Sequence, residues 1–192
     1  PAAAGSPPML GRVAEWARLR SVWETVRSGR AQIVLIFGEA GIGKTRLLEE
    51  LARWATLQEA VTAEARTYAA QGQLTYAPVS TWLRSEPLRH KLAHLDSVWL
   101  SEVSRLLPEL KADNPDLPAP QPISESWQRE RMYEALARAV TSTSDRRPVV
   151  LMLDDVQWCG EGVLEWLSYL LQSAADAPLL IAGTVRSGRV DA

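Results

Sequence analysis

The chain has 192 residues, 46% of them hydrophobic and 23% charged, which suits one α/β domain with a real core and excludes a disordered or fibrous protein. Lys and Arg number 21 against 23 Asp and Glu, and a formal charge of −2 gives no electrostatic reason to expect direct nucleic-acid contact. No apolar run approaches the length of a membrane span, and Cys159, the only cysteine, rules out an internal disulfide and fits a reducing cytoplasm.

Residues 1–9 have neither a basic start nor an apolar core, so they read as a flexible leader or linker rather than a signal peptide. With no initial Met, the expectation is an excised domain, its core running over 10–192. Val13, Trp16, Leu19, Trp23 and Val26 recur at helical spacing and predict an amphipathic helix ending near Ser28 and Gly29. Residues 32–37 form a β-branched apolar run that ends at a glycine, the mark of a buried parallel strand. A glycine-rich turn follows, then a helix over 44–57, a second strand over 60–67, and a loop marked by Gly72 and Pro78. A helix is expected from about Val79, and 88–107 reads as helical in two pieces. Repeated prolines make 111–122 a loop, after which Ser124 or Ser126 is placed to cap a helix carrying Trp127, Met132, Leu136, Ala139 and Val140 along one face. The helical and Pro-rich stretch at about 86–145 reads as an insertion. Residues 149–153 are wholly apolar and end in Asp154 and Asp155; a helix over 162–171 and a strand over 179–184 complete the pattern. Strands alternating with helices imply an α/β fold, a mostly parallel sheet covered on both faces, with ligands at the carboxyl ends of the strands.

Gly38, Glu39, Ala40, Gly41, Ile42, Gly43, Lys44 and Thr45 fill the pattern G-x-x-x-x-G-K-[ST] in register. A phosphate chain needs many donors at short range, so the backbone must wrap it closely, and a turn of this kind offers successive N–H groups as an anion nest. The helix that starts there adds its positive end, Lys44 brings a charge to the β and γ phosphates, and Thr45 offers a hydroxyl to Mg²⁺. Arg46 continues the same run toward the nucleotide. Asp154, at the end of a neighbouring strand, supplies the carboxylate expected to hold Mg²⁺, and Asp155 is placed to position or activate an attacking water. A nucleotide with Mg²⁺ is therefore the expected ligand; no guanine-reading N-K-x-D run occurs.

Five segments in order carry a family resemblance: Leu10, Gly11 and Arg12; residues 37–48; residues 105–110, with their Leu-Pro-Glu-Leu; Leu153 to Trp158 as Leu-Asp-Asp-Val-Gln-Trp; and Ala182 to Arg186 as Ala-Gly-Thr-Val-Arg. Together they resemble the AAA-type P-loop ATPase domain of bacterial STAND signalling proteins, as found in large multidomain transcriptional regulators. The resemblance implies a three-layer P-loop NTPase fold, ATP or ADP as the nucleotide, Gly11 and Arg12 near the adenine, and Arg186 at the position that senses the γ-phosphate. It also implies a cytoplasmic switch in signal transduction. ADP would hold a closed state, ATP an open, oligomerising one, and the partners would be the other domains of a parent regulator. The implied sheet order is 2-3-4-1-5. Since the chain stops soon after Arg186, the fifth strand and the lid are expected to be missing, the first strand to stand at an edge, and nucleotide binding and hydrolysis by this piece to be weak. Cys159 and Gly160 stand where the family often has a small residue and an Asp.

The rival reading is a metabolic P-loop kinase acting on a small molecule, with Arg129, Arg131 and Arg138 as lid candidates. His90 and His94 lie one helical turn apart but Lys91 replaces the Glu that a zinc-protease pattern needs, so a solvated face is expected. Trp16, Trp23, Trp54, Trp82, Trp99, Trp127 and Trp166 read as packing residues, whereas Trp158 beside the acids has a claim on function.

Overall fold

A computed structural model describes residues 12–69, 76–142 and 147–187. Residues 1–9, Gly11 and Gly72 lie outside that set. The first helix, α1 (Val13–Arg27), leads through Gly29 into β1 (Gln32–Gly38), and α2 (Lys44–Leu57) returns to β2 (Val61–Arg66). A helical group follows: α3 (Ala77–Arg84), α4 (Glu86–Leu92), α5 (Ser97–Val103), α6 (Glu109–Asp113) and α7 (Ser126–Thr141). The chain then enters β3 (Val149–Asp154), a short 3-10 turn at Val156–Trp158, α8 (Glu161–Ser173) and β4 (Leu179–Arg186).

The strands form one all-parallel sheet in the order β1-β4-β3-β2. This is the expected 2-3-4-1 succession, with β1 at an edge among the described residues. Every residue of β3 is buried, and the alternation explains why the run is continuously apolar. Val149, Leu151 and Leu153 face a core built with α3, α4, α5, α7 and α8; Val150 and Met152 face a second core built with α1 and α2. The sheet is thus the middle of three layers.

Aromatic packing locks both faces. Trp54 of α2 stands edge-on to Trp16 and Trp23 of α1, with ring centroids 5.7 and 5.4 Å apart. On the other face Trp82 and Trp166 are fully buried, and Trp82 Nε1 donates to the Met152 carbonyl at 2.9 Å. That bond satisfies the indole where no water can. At the edge, β1 is not the buried strand that its unbroken apolar run predicts: Ile33, Leu35 and Phe37 are exposed, and no residue of the strand is fully buried.

Three local expectations are corrected. Residues 111–113 belong to the single-turn helix α6 rather than to a loop, because Pro108 at its N-terminal side gives up no helical hydrogen bond there. Glu125, not a serine, is the cap of α7, and the Gln128 side chain accepts the N–H groups of Ser124 and Glu125 at 2.6 and 2.9 Å. Trp127 is exposed, since it sits in the first turn of α7 before that helix reaches the core.

Candidate functional site

The carboxyl ends of β1, β3 and β4 meet at one place, and the glycine-rich turn closes over it. Gly41 and Gly43 have φ of 79° and 92°, a left-handed backbone that a side chain would strain. Gly43 is also the N-cap of α2, so the turn delivers its N–H groups at the positive end of that helix. Lys44 is buried to 7% exposure, and its Nζ donates to the carbonyls of Gly38 and Glu39, both at 2.7 Å. The ammonium is therefore held over the turn, pointing where phosphate oxygens would come.

A cavity of about 420 Å³ opens here, lined by Ala40, Gly41, Gly43, Lys44, Thr45, Arg46, Glu49, Arg66, Asp155 and Arg186. Ile42 is half exposed at the rim, and its carbonyl accepts from Arg12 Nη2 at 2.7 Å. Arg12, which also pairs with Glu15, is thereby tied to the cradle from α1's side. Gly11 lies outside the described residues.

The acids are held by a buried network. Thr45 Oγ1 donates to Asp154 at 3.1 and 3.2 Å from its two carboxylate oxygens. Thr184, with no exposed surface, donates its hydroxyl to Asp154 Oδ1 and accepts the Asp155 N–H at 2.9 Å. Thr67 Oγ1 donates to the carbonyls of Asp154 and Asp155 at 3.1 and 2.6 Å. Asp155 adopts φ 63° at the turn between β3 and the 3-10 segment, a conformation aspartate tolerates better than most residues. Its carboxylate receives Arg186 Nε at 2.7 Å and Nη2 at 3.0 Å, Gln157 Nε2 at 3.0 Å and Arg66 Nη2 at 3.5 Å. The Arg186 hydrogen bond, with help from Gln157, Arg186's charge and Arg66, holds the Asp155 carboxyl down at about 2 despite its burial.

The hard oxygens of Thr45 and Asp154, side by side at the root of the glycine-rich turn, fit Mg²⁺, which takes few protein ligands and keeps waters and phosphate oxygens. Among the described residues no group of three or more His, Cys, Asp or Glu could hold a metal. The structure thus brings together Lys44, Thr45, Arg46, Asp154, Asp155 and Arg186 from the sequence reading. It adds Arg66 and Thr67, whose only sequence signal is their place at or just after the end of β2, and Gln157 and Thr184, which lie inside two of the family-like segments, where the resemblance assigns them no role. Arg129, Arg131 and Arg138 pair with Glu165, Glu102 and Glu134, and none of them lines the cavity. Trp158 is exposed beside the acidic turn and does not line the cavity either.

Comparison with known proteins follows the same outline. The AAA ATPase domain family matches residues 8–182. An uncharacterized protein of Rhizobium meliloti (strain 1021) is 27% identical over 207 aligned positions, covering 93% of this chain and 18% of that protein. The chain therefore spans about a fifth of the length of that curated relative. A chain in a structure of Drosophila ORC bound to DNA superposes with a TM-score of 0.56 at 15% identity, covering 95% of this chain and 39% of the other, which shows a shared fold.

Proposed function

The chain belongs to the AAA ATPase domain family, and from that premise we propose that it is the ATP/ADP-dependent switch of a larger cytoplasmic signal-transduction ATPase, in a transcriptional regulator. The observation that carries this reading is the clamp of Arg186 on Asp155 at the wall of the phosphate cavity. ADP fills the cradle without a third phosphate and leaves the clamp in place. The γ-phosphate of ATP brings a competing anion to Arg186, so that the end of β4 reports which nucleotide is bound.

The remaining parts divide the work. The N–H groups of the turn and the start of α2 bind the phosphates, and Lys44 turns from loop carbonyls to phosphate oxygens. Thr45 and Asp154 would hold Mg²⁺, which when bound neutralises charge between the β and γ phosphates. Asp155, its carboxyl held near 2 by Arg186, is a poor proton acceptor while clamped. Slow turnover follows, which suits a switch better than a metabolic enzyme. The absence of the lid-candidate arginines from the cavity wall also disfavours the kinase reading.

The length of the Rhizobium relative supports placing this domain within a larger parent, whose other domains are the proposed partners. The formal charge of −2 favours DNA contact by those domains rather than by this one. No described helix is long and apolar enough to cross a membrane.

Arg186→Gln tests the proposal. Calorimetric titration should show that the wild-type chain discriminates a slowly hydrolysed ATP analogue from ADP, and that the variant binds both alike. Unchanged discrimination would contradict the switch, and a phosphorylated small-molecule product would restore the kinase.

A further inference from the structure

Arg66 at the end of β2 has no part in the phosphate motif, yet it touches both acids. Its Nε lies 3.4 Å from Asp154 Oδ2 and its Nη2 lies 3.5 Å from Asp155 Oδ2. The parallel register explains the meeting: Arg66 is the partner of Asp154 across the β2–β3 ladder. The side chain is half exposed, and its guanidinium carbon also lies 5.6 Å from the centre of the Tyr68 ring.

Two neighbouring carboxylates at a buried strand end need positive charge nearby. Asp155 has Arg186 at hydrogen-bond distance; Asp154 has Arg66, with Nε 3.4 Å from Oδ2. The same Asp154 oxygens face Thr45, where a divalent cation would sit. A guanidinium at 3.4 Å from one of those oxygens and a dication on the same carboxylate repel each other strongly.

We infer that Arg66 is the resident counter-ion of the metal position, and that a divalent cation arriving with nucleotide must displace it from Asp154. The inference rests on the reading of Thr45 and Asp154 as metal-holding residues. Arg66 has somewhere to go: the Tyr68 face is already within reach, and a cation over an aromatic ring keeps part of its stabilisation. Arg66 therefore sets how strongly metal and nucleotide binding are linked, and Arg186 reads the third phosphate.

The quantity that tests this is the gain in ADP affinity when EDTA is replaced by Mg²⁺, measured by calorimetry for the wild-type chain, Arg66→Gln and Asp154→Asn. Removing a competing, half-exposed ion pair should raise the gain in Arg66→Gln by roughly fivefold. Asp154→Asn should lose the gain. Binding of ADP in EDTA by each variant serves as the check that it is folded. If Arg66→Gln shows the wild-type gain or less while Asp154→Asn loses it, the metal position stands and the role of Arg66 is refuted. If Asp154→Asn keeps the full gain, the metal position itself is misplaced and the inference falls with it.

Discussion

Replacing Thr184 with Val keeps the shape of a fully buried side chain and removes one hydroxyl. That hydroxyl makes two bonds: it donates to Asp154 Oδ1 and accepts the Asp155 N–H at 2.9 Å. The valine leaves a buried backbone donor without a partner, at about 1–3 kcal/mol, and takes one donor from a buried carboxylate, at about 1.5–3 kcal/mol. Asp154 keeps Thr45 and Arg66, so the second loss falls at the low end of its range. The expected destabilisation is about 3 kcal/mol, or a fall in Tm of roughly 6–12 °C for a domain of this size. Thr184→Ser retains the hydroxyl and deletes only a methyl group, at about 1 kcal/mol. Urea unfolding without nucleotide or Mg²⁺ measures both. The reasoning is refuted if the valine variant loses less than about 0.5 kcal/mol, or if the serine variant loses more than the valine.

Trp82→Phe removes the bond to the Met152 carbonyl and leaves a void beside Trp166, so it should cost about 2–4 kcal/mol in the same assay. A loss below about 1 kcal/mol would mean that the indole N–H is not holding α3 to the sheet. Burial pushes the Cys159 thiol up to about 11, which reduces the reactive thiolate at neutral pH by roughly a hundredfold. Iodoacetamide should therefore modify the folded chain far more slowly than the unfolded one at pH 7.5, with the rate climbing as pH rises toward 11. Equal rates in the two states would contradict that burial.

Sheet and cradle were legible for different reasons. β3 could be read because both of its faces are buried, which forces an unbroken apolar run. Residues 38–45 could be read because phosphate binding fixes residue types at consecutive positions. Ile33, Leu35 and Phe37 show what a linear pattern lacks: the unbroken apolar run of β1 reads like that of a central strand, yet β1 stands at the edge of the described sheet with these three side chains exposed. Trp127 repeats the lesson for a helix, since spacing identifies a face but not where along the helix the core begins.

The clamp around Asp155 was beyond sequence reasoning in a further sense. Arg66 and Arg186 come from opposite sides along the chain and converge because β3 is flanked by β2 and β4. Thr67 looks like an ordinary strand-end threonine, and Thr184, though inside a family-like segment, carries no sign of its partners until the parallel register sets both beside the acidic turn. Arg186 itself was marked in advance by the family resemblance, but its bidentate hold on Asp155 was not.

The central claim is that nucleotide phosphates sit in the turn beneath Lys44. Calorimetric titration of ADP and ATP with Mg²⁺ into the chain and into Lys44→Ala tests it most directly. The account predicts saturable binding by the wild-type chain that is lost in the variant, because the turn would keep its N–H groups but not the ammonium now held at 2.7 Å from the carbonyls of Gly38 and Glu39. Equal affinities in the two proteins would contradict it and place the nucleotide, if it binds at all, somewhere other than this cradle.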